Sequence, residues 1–192
     1  VASMGCNSSE LIHLMVEIKK LAFADREYIA DPAWVEVPVE RLISKEYAAM
    51  QAKRIDMAKV NPEVAAGVPR AGGVGGHTTY FCVVDGRGNA VSHIQSLGDL
   101  FGSGIVAGDT GVLLNDRMSH WRLDTEHPNA LMPGKRARQA MSAPIALKDG
   151  KLFLVWGTPG GNTQVQTNMQ VMSHVLHFGM TLQEAVEAPR WH

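Results

Sequence analysis

The chain has 192 residues, 45% of them hydrophobic and 19% charged, enough apolar material for one ordinary domain with a real core and too much for a disordered chain. Eighteen basic against nineteen acidic side chains give a formal net charge of −1, which excludes the basic footprint of a nucleic-acid binder and long-range attraction to an anionic membrane. No apolar run reaches the length of a membrane span, Val1-Ala2-Ser3-Met4 lacks the regions of a signal peptide, and the isolated Cys6 and Cys82 make neither a disulfide framework nor a paired metal-ligand spacing.

In chain order, Asn7-Ser8-Ser9-Glu10 predicts a capping box with Asn7 as the cap and Glu10 three residues on. The helix that follows places Leu11, Leu14 or Met15, Ile18 and Leu21 or Ala22 on one side, with Glu17, Lys19 and Lys20 largely on the other. Asp31-Pro32 ends that region, Val37-Pro38 breaks the next, and residues 42–59 alternate apolar and charged side chains in a helical manner. Asn61-Pro62 marks the exit into a glycine-rich run, Gly72-Gly73-Val74-Gly75-Gly76, which feeds His77-Thr78. Strands are expected at 79–84 and 90–96 with Asp85-Gly86-Arg87-Gly88-Asn89 as the turn, and a second hairpin at 143–147 and 152–155 through Lys148-Asp149-Gly150. Val165, Met169, Met172 and Leu176 mark a helix whose methionine-rich face reads as core rather than as a ligand site. Thr181-Leu182-Gln183-Glu184 caps a short last helix. Strands followed by helices imply an antiparallel sheet covered by helices.

The glycine run before Thr78 has two readings. One is a surface linker entering a hairpin. The other is chemical: a threonine hydroxyl needs a base, and cutting the chain before Thr78 would free its own α-amine to serve as one. That amine has an ordinary pKa of about 7.7–8.0, so a useful fraction is unprotonated near neutral pH. Glycines before the bond allow the sharp bend that self-cutting requires.

Three later stretches favour the chemical reading. Phe101-Gly102-Ser103-Gly104-Ile105-Val106, Gly111-Val112-Leu113-Leu114-Asn115 and Gly157-Thr158-Pro159-Gly160-Gly161-Asn162 follow Thr78-Thr79 in an order that resembles the small subunit of γ-glutamyltranspeptidases. Pro133-Gly134-Lys135-Arg136, Lys148-Asp149-Gly150-Lys151, Phe178-Gly179-Met180 and Glu187-Ala188-Pro189-Arg190 extend the resemblance. Upstream, Lys20-Leu21-Ala22-Phe23-Ala24-Asp25-Arg26 is similar to the end of the family's large subunit.

The resemblance implies a partial αββα N-terminal-nucleophile hydrolase fold of α+β class, with residues 1–77 from the large subunit and 78–192 from the small one. It implies a zymogen that cuts itself before Thr78, a small-molecule amide substrate and no cofactor or metal. It also implies a heterodimer or higher oligomer with the remainder of both subunits, whose sequence extends beyond Val1 and His192. The address stays open between cytoplasm and periplasm.

By the same resemblance Thr78 is the nucleophile, and Ser96, eighteen residues on, is the hydroxyl that orients it where the family usually has threonine. Thr79 is either a hydrogen-bonding neighbour or an ordinary strand residue. Gly160 and Gly161 fit an oxyanion hole, two amides without Cβ obstruction near a helix N-terminus, or else a tight turn that needs positive φ. The substrate shell departs from the family. His120 stands where an acid holds the donor's α-amino group, Arg117 replaces glutamine, Gly98 replaces asparagine, and Gln139-Ala140 replaces paired serines. Arg117 either grips a substrate carboxylate or pairs with Asp116, Asp124 or Glu126. His174 and His177 lack acidic or cysteine partners at metal-site spacing and read as helix-surface histidines. Neither glycine-rich loop carries a P-loop lysine or a full dinucleotide fingerprint.

Overall fold

The computed structural model describes residues 1–62 and 77–192; the expected glycine-rich loop at 72–76 lies outside them. The described residues gather into two units, one from 1–62 and 120–138 and the other from 77–119 and 139–192. Where the chain would be cut, between 77 and 78, is a separate matter from these units.

In the first unit, helix α1 (Ser9–Arg26) is capped by Ser8, not by Asn7 as expected. Asn7 turns the chain at φ 55°, which leaves Ser8 extended with its hydroxyl accepting the Leu11 amide at 3.1 Å. Leu11 and Leu21 are buried, as the apolar periodicity requires, but Ile18 is exposed and Glu17 is buried. The expectation that Glu17 faces away is therefore corrected. A buried carboxylate needs partners, and Glu17 has them in Lys20 Nζ at 2.6 Å and the Asn61 amide at 3.2 Å.

The single helical stretch expected over 42–59 is instead α2 (Val39–Leu42) and α3 (Lys45–Ala52). Ser44 interrupts it, because its side chain accepts the Tyr47 amide and opens a fresh helix. Residues 120–138 return to the end of α1. Arg122 and Arg138 reach Glu27 at 3.0 and 3.2 Å, Asn129 Nδ2 donates to Ile29 O at 2.9 Å, and Arg136 grips the buried Asp31.

The second unit holds two antiparallel hairpins, β1 (Thr78–Val84) with β2 (Ala90–Ser96) and β3 (Ile145–Lys148) with β4 (Lys151–Val155), close to the expected positions. Asp85 shapes the first turn, its Oδ1 accepting the Arg87 and Asn89 amides at 2.8 and 2.9 Å. Phe81 stacks on His93 on the outer face of the first hairpin, 4.6 Å between ring centroids.

Helix α4 (Thr163–Phe178) ends at Gly179 in the left-handed conformation that glycine adopts freely. Its methionine-rich face is not core here: Val165, Met169 and Leu176 are exposed, while Gln164, Asn168, Gln170 and His174 are buried beside Val171. Each buried amide has found a partner, which removes the penalty that makes such residues favour the surface. Gln164 Oε1 accepts the Ser142 amide at 2.9 Å, Asn168 Nδ2 donates to Ser142 Oγ at 3.4 Å, and Gln170 makes a reciprocal pair with the Trp191 backbone. His174 is a buried histidine with Nδ1 3.3 Å from Ala185 O, a correction to its surface reading, whereas His177 is exposed. Thr181 and Glu184 form the expected capping box of α5 (Leu182–Glu187).

Replacing Gln164 by alanine is expected to cost about 1–3 kcal/mol through the orphaned Ser142 amide alone. A lowered urea midpoint at unchanged slope checks it. Among the described residues no helix is long and apolar enough to cross a membrane.

Candidate active site

Thr78 opens β1 and Ser96 closes β2 directly opposite it. Paired residues of an antiparallel ladder point to one face, and Thr78 Oγ1 donates to Ser96 Oγ at 3.0 Å. Ser96 has two further contacts. Its oxygen accepts the Gly98 amide at 3.1 Å, and its own proton points to His77 O at 3.4 Å. His77 O is the carbonyl of the peptide bond before Thr78, so one hydroxyl bridges the side chain of residue 78 and the acyl oxygen of the residue preceding it.

The turn that carries Ser96 is braced by Asp116. Its amide donates to Leu97 O at 3.0 Å and its Oδ1 accepts the Asp99 amide at 3.1 Å. Gly98, at φ +104°, leaves room for that carboxylate, since a Cβ there would stand 1.7 Å from Asp116 Oδ1. The position where the family often has asparagine is thus occupied in space by another residue's carboxylate.

Gly160 and Gly161 adopt φ of +124° and +55°. Their carbonyls are engaged by the start of α4: Gly160 O accepts Thr163 N at 3.0 Å and Thr163 Oγ1 at 2.8 Å, and Gly161 O accepts Gln164 N at 3.2 Å. Neither glycine amide has an acceptor among the described residues. Two donors therefore stand at the positive end of a sixteen-residue helix, a setting that favours an anion.

The other expected site residues are distributed as follows. Thr79 faces away from Thr78 and pairs across the ladder with Gln95. Arg117 begins a 3-10 turn (Arg117–His120), its amide donating to Asn115 Oδ1 at 2.9 Å. Of the acids considered for it, Asp116 takes the Asp99 amide and Asp124 takes the Glu126 amide at 3.1 Å. Gln139 is exposed beside the buried Ala140 in the second unit, and His120 belongs to the first. No group of three or more potential metal ligands occurs among the described residues.

Three residues of this neighbourhood escaped the reading of the sequence as site residues: Asp116, Tyr80 and Gly157. The signal for Tyr80 was its place two residues from Thr78 in a strand, hence on the same face. Gly157 lacks the positive φ of its neighbours at 160 and 161. Its glycine therefore answers to a close approach rather than to backbone conformation, which no sequence pattern reveals.

The sequence model of the γ-glutamyltranspeptidase family matches residues 1–192. Among curated relatives, the glutathione hydrolase-like YwrD proenzyme of Bacillus subtilis strain 168 is 40% identical over 185 residues, 96% of this chain and 34% of the relative. The glutathione hydrolase proenzyme of Pseudomonas sp. strain A14 is 38% identical over 202 residues, 98% of this chain and 35% of the relative. Among solved structures, cephalosporin acylase from Bacillus halodurans superposes with a TM-score of 0.82 at 34% identity, over 98% of this chain and 34% of that one. The chain spans about a third of the length of the curated relatives it matches. Its fold class is α+β, part of the αββα N-terminal-nucleophile sandwich. A family match over every residue, relatives near 40% identity and a shared fold make one statement: the chain belongs to the γ-glutamyltranspeptidase family.

Proposed function

We propose that this chain is the catalytic segment of an N-terminal-nucleophile amidohydrolase or acyltransferase, a zymogen that cuts itself before Thr78 and then forms an acyl-enzyme on Thr78. Residues 1–77 belong to the large subunit and 78–192 to the small one, and the remainder of both subunits completes the heterodimer. The observation that carries the reading is the Thr78 Oγ1–Ser96 Oγ–His77 O bridge.

In maturation Thr78 Oγ1 attacks the His77 carbonyl carbon, and its proton passes to Ser96 Oγ while Ser96 gives its own to the carbonyl oxygen. The adduct's hydroxyl proton passes to the nitrogen as the C–N bond breaks, leaving an ester on Thr78 Oγ1 and a free amine. Water then hydrolyses the ester, releasing the His77 carboxyl. The 3.4 Å contact from Ser96 is long for a hydroxyl donor, and catalytic bonds of this kind tighten as charge develops on the acceptor.

In turnover the Thr78 amine takes the hydroxyl proton as the oxygen attacks an amide carbonyl, and Gly160 and Gly161 amides face the oxyanion. The leaving amine takes the proton back, and water or an acceptor amine releases the acyl group. Loss of one oxyanion donor typically costs ~10²–10³ in kcat.

The favoured substrate is an amide whose acyl part differs from γ-glutamate. Its support is the departure of the sequence from the family at His120, Arg117 and Gly98, the Asp116 carboxylate seated over Gly98, and a structural neighbour that is a cephalosporin acylase. A second reading, an ordinary γ-glutamyl transferase or glutathione hydrolase, is favoured by the names of the curated relatives. Incubating the native protein with a γ-glutamyl anilide and with simple N-acyl anilides separates them, and robust γ-glutamyl turnover overturns the first. An unprocessed assembly module, the remaining possibility, predicts a persistent single chain by intact mass.

Ser96→Ala is expected to slow both self-cutting and turnover by about 10²–10⁴, the range of a positioned proton-transfer group. Ser96→Thr retains the hydroxyl and most of both rates. Time-resolved intact mass and anilide release measure the two.

A further inference from the structure

Tyr80 lies on β1 two residues past Thr78 and on the same face, about 7 Å along the strand. Its ring is in contact with Gly157. A Cβ at that glycine would stand 2.3 Å from Cε2, 2.4 Å from Cδ2 and 2.8 Å from Cζ, so any side chain there would overlap the ring. Gly157 is the first residue of the 157–161 loop that presents Gly160 and Gly161.

The far end of the ring is fixed as well. Tyr80 Oη lies 2.9 Å from Ser92 Oγ, and Ser92 Oγ donates to Pro144 O at 3.3 Å. With the Ser92 proton on that carbonyl Tyr80 donates to Ser92, and either hydroxyl can serve as the donor in the bond they share. Pro144 O also accepts the amide of Trp156, the residue before Gly157, at 3.4 Å. The contacts close a circuit from β1 through β2 and the segment before β3 to the segment after β4, and back to the ring. Burial raises the phenol's pKa above its ordinary value.

We propose that Tyr80 is a positioning residue that sets the height of the 157–161 loop against the nucleophile strand, and that Gly157 is glycine so that the ring can take up that position. The proposal rests on the reading of Thr78 and the two loop glycines given above. It concerns the acyl oxygen of the substrate, whereas maturation uses the Ser96 contact to His77 O. It therefore separates the two reactions.

The test uses the native protein and whichever anilide it turns over. Tyr80→Phe is expected to lower kcat about tenfold and Tyr80→Ala or Gly157→Ala about 10²-fold, the scale of an ångström-sized misplacement. KM should stay within about threefold, and self-cutting, followed by intact mass, should proceed at the native rate. In the double variant Tyr80→Ala/Gly157→Ala the overlap is gone, so turnover should equal or exceed that of Gly157→Ala alone. Unchanged kcat in Tyr80→Ala, a loss confined to KM, an equal loss in self-cutting, or multiplication of the single losses in the double variant would overturn the proposal. Tyr80→Phe keeps the ring's packing and remains informative if Tyr80→Ala fails to accumulate. Failure of the underlying reading looks different, since Thr78→Ala would then still turn substrate over.

Discussion

Thr78→Ala is expected to leave the native protein as one uncut polypeptide with turnover lowered by about 10⁴-fold or more, the scale seen when a nucleophile is deleted from a working constellation. In the proposed mechanism one oxygen performs both reactions, so a single substitution should remove both. The variant keeps Ser96 and its contact with His77 O, but a hydroxyl that polarises a carbonyl without a neighbouring attacker has nothing to transfer. Thr78→Ser restores the oxygen while removing the β-methyl that limits its rotamers, so cutting should return more slowly than in the native protein. Intact mass after a timed incubation distinguishes the variants. A cut Thr78→Ala protein, or one that still releases aniline, would defeat the assignment of the nucleophile to this residue.

Several elements whose logic is local were legible from the sequence, although the caps at Ser8 and Ser44 were not. Both hairpins were, because alternation and an Asp-Gly turn act within a few residues, and Asp85 holds that turn with its own carboxylate. The capping box at Thr181 and Glu184 is equally local. The opposition of Thr78 and Ser96 was expected only through a family resemblance, and the ladder now gives its physical cause: a register that places the two residues across from each other. Burial was misjudged where polar side chains are satisfied by remote backbone. Gln164 needs Ser142, Gln170 needs Trp191 and Glu17 needs Asn61, and periodicity carries no information about such partners. It ranks glutamine and glutamate as surface residues, which is correct unless a distant amide completes them. The same blindness hid Tyr80, whose importance lies in an absence of side chain seventy-seven positions away at Gly157.

The largest expected effect on stability lies at Asp31, and it depends on pH. Its buried carboxylate accepts four donors: Arg136 Nη2 at 2.7 Å, Nε at 3.2 Å and the Ala33 amide at 3.1 Å on Oδ1, and the Arg136 amide at 2.8 Å on Oδ2. The side-chain bond from Arg136, then its backbone bond, hold the carboxyl far below its ordinary value of 3.8. A carboxylate whose folded pKa is depressed contributes stability that is complete above its unfolded pKa and is lost as pH falls toward the folded one. The native protein should therefore lose stability steeply as pH drops below about 4. Asp31→Asn removes the titrating group and turns an accepting oxygen into a donor facing the guanidinium, so the variant should be weaker at pH 7 and flatter with pH. Asp31→Ala leaves two amides and a guanidinium without their acceptor and should destabilise more than Gln164→Ala, which strands one amide. Most of the Arg136 side chain is exposed, so salt should screen its attraction while leaving the two backbone bonds intact. Added salt thus weakens but does not abolish the difference between native protein and Asp31→Asn. Urea midpoints at pH 7 and pH 3, with and without salt, measure each part. Equal pH slopes in the two proteins would show that Asp31 carries no such linkage and that acid sensitivity arises elsewhere.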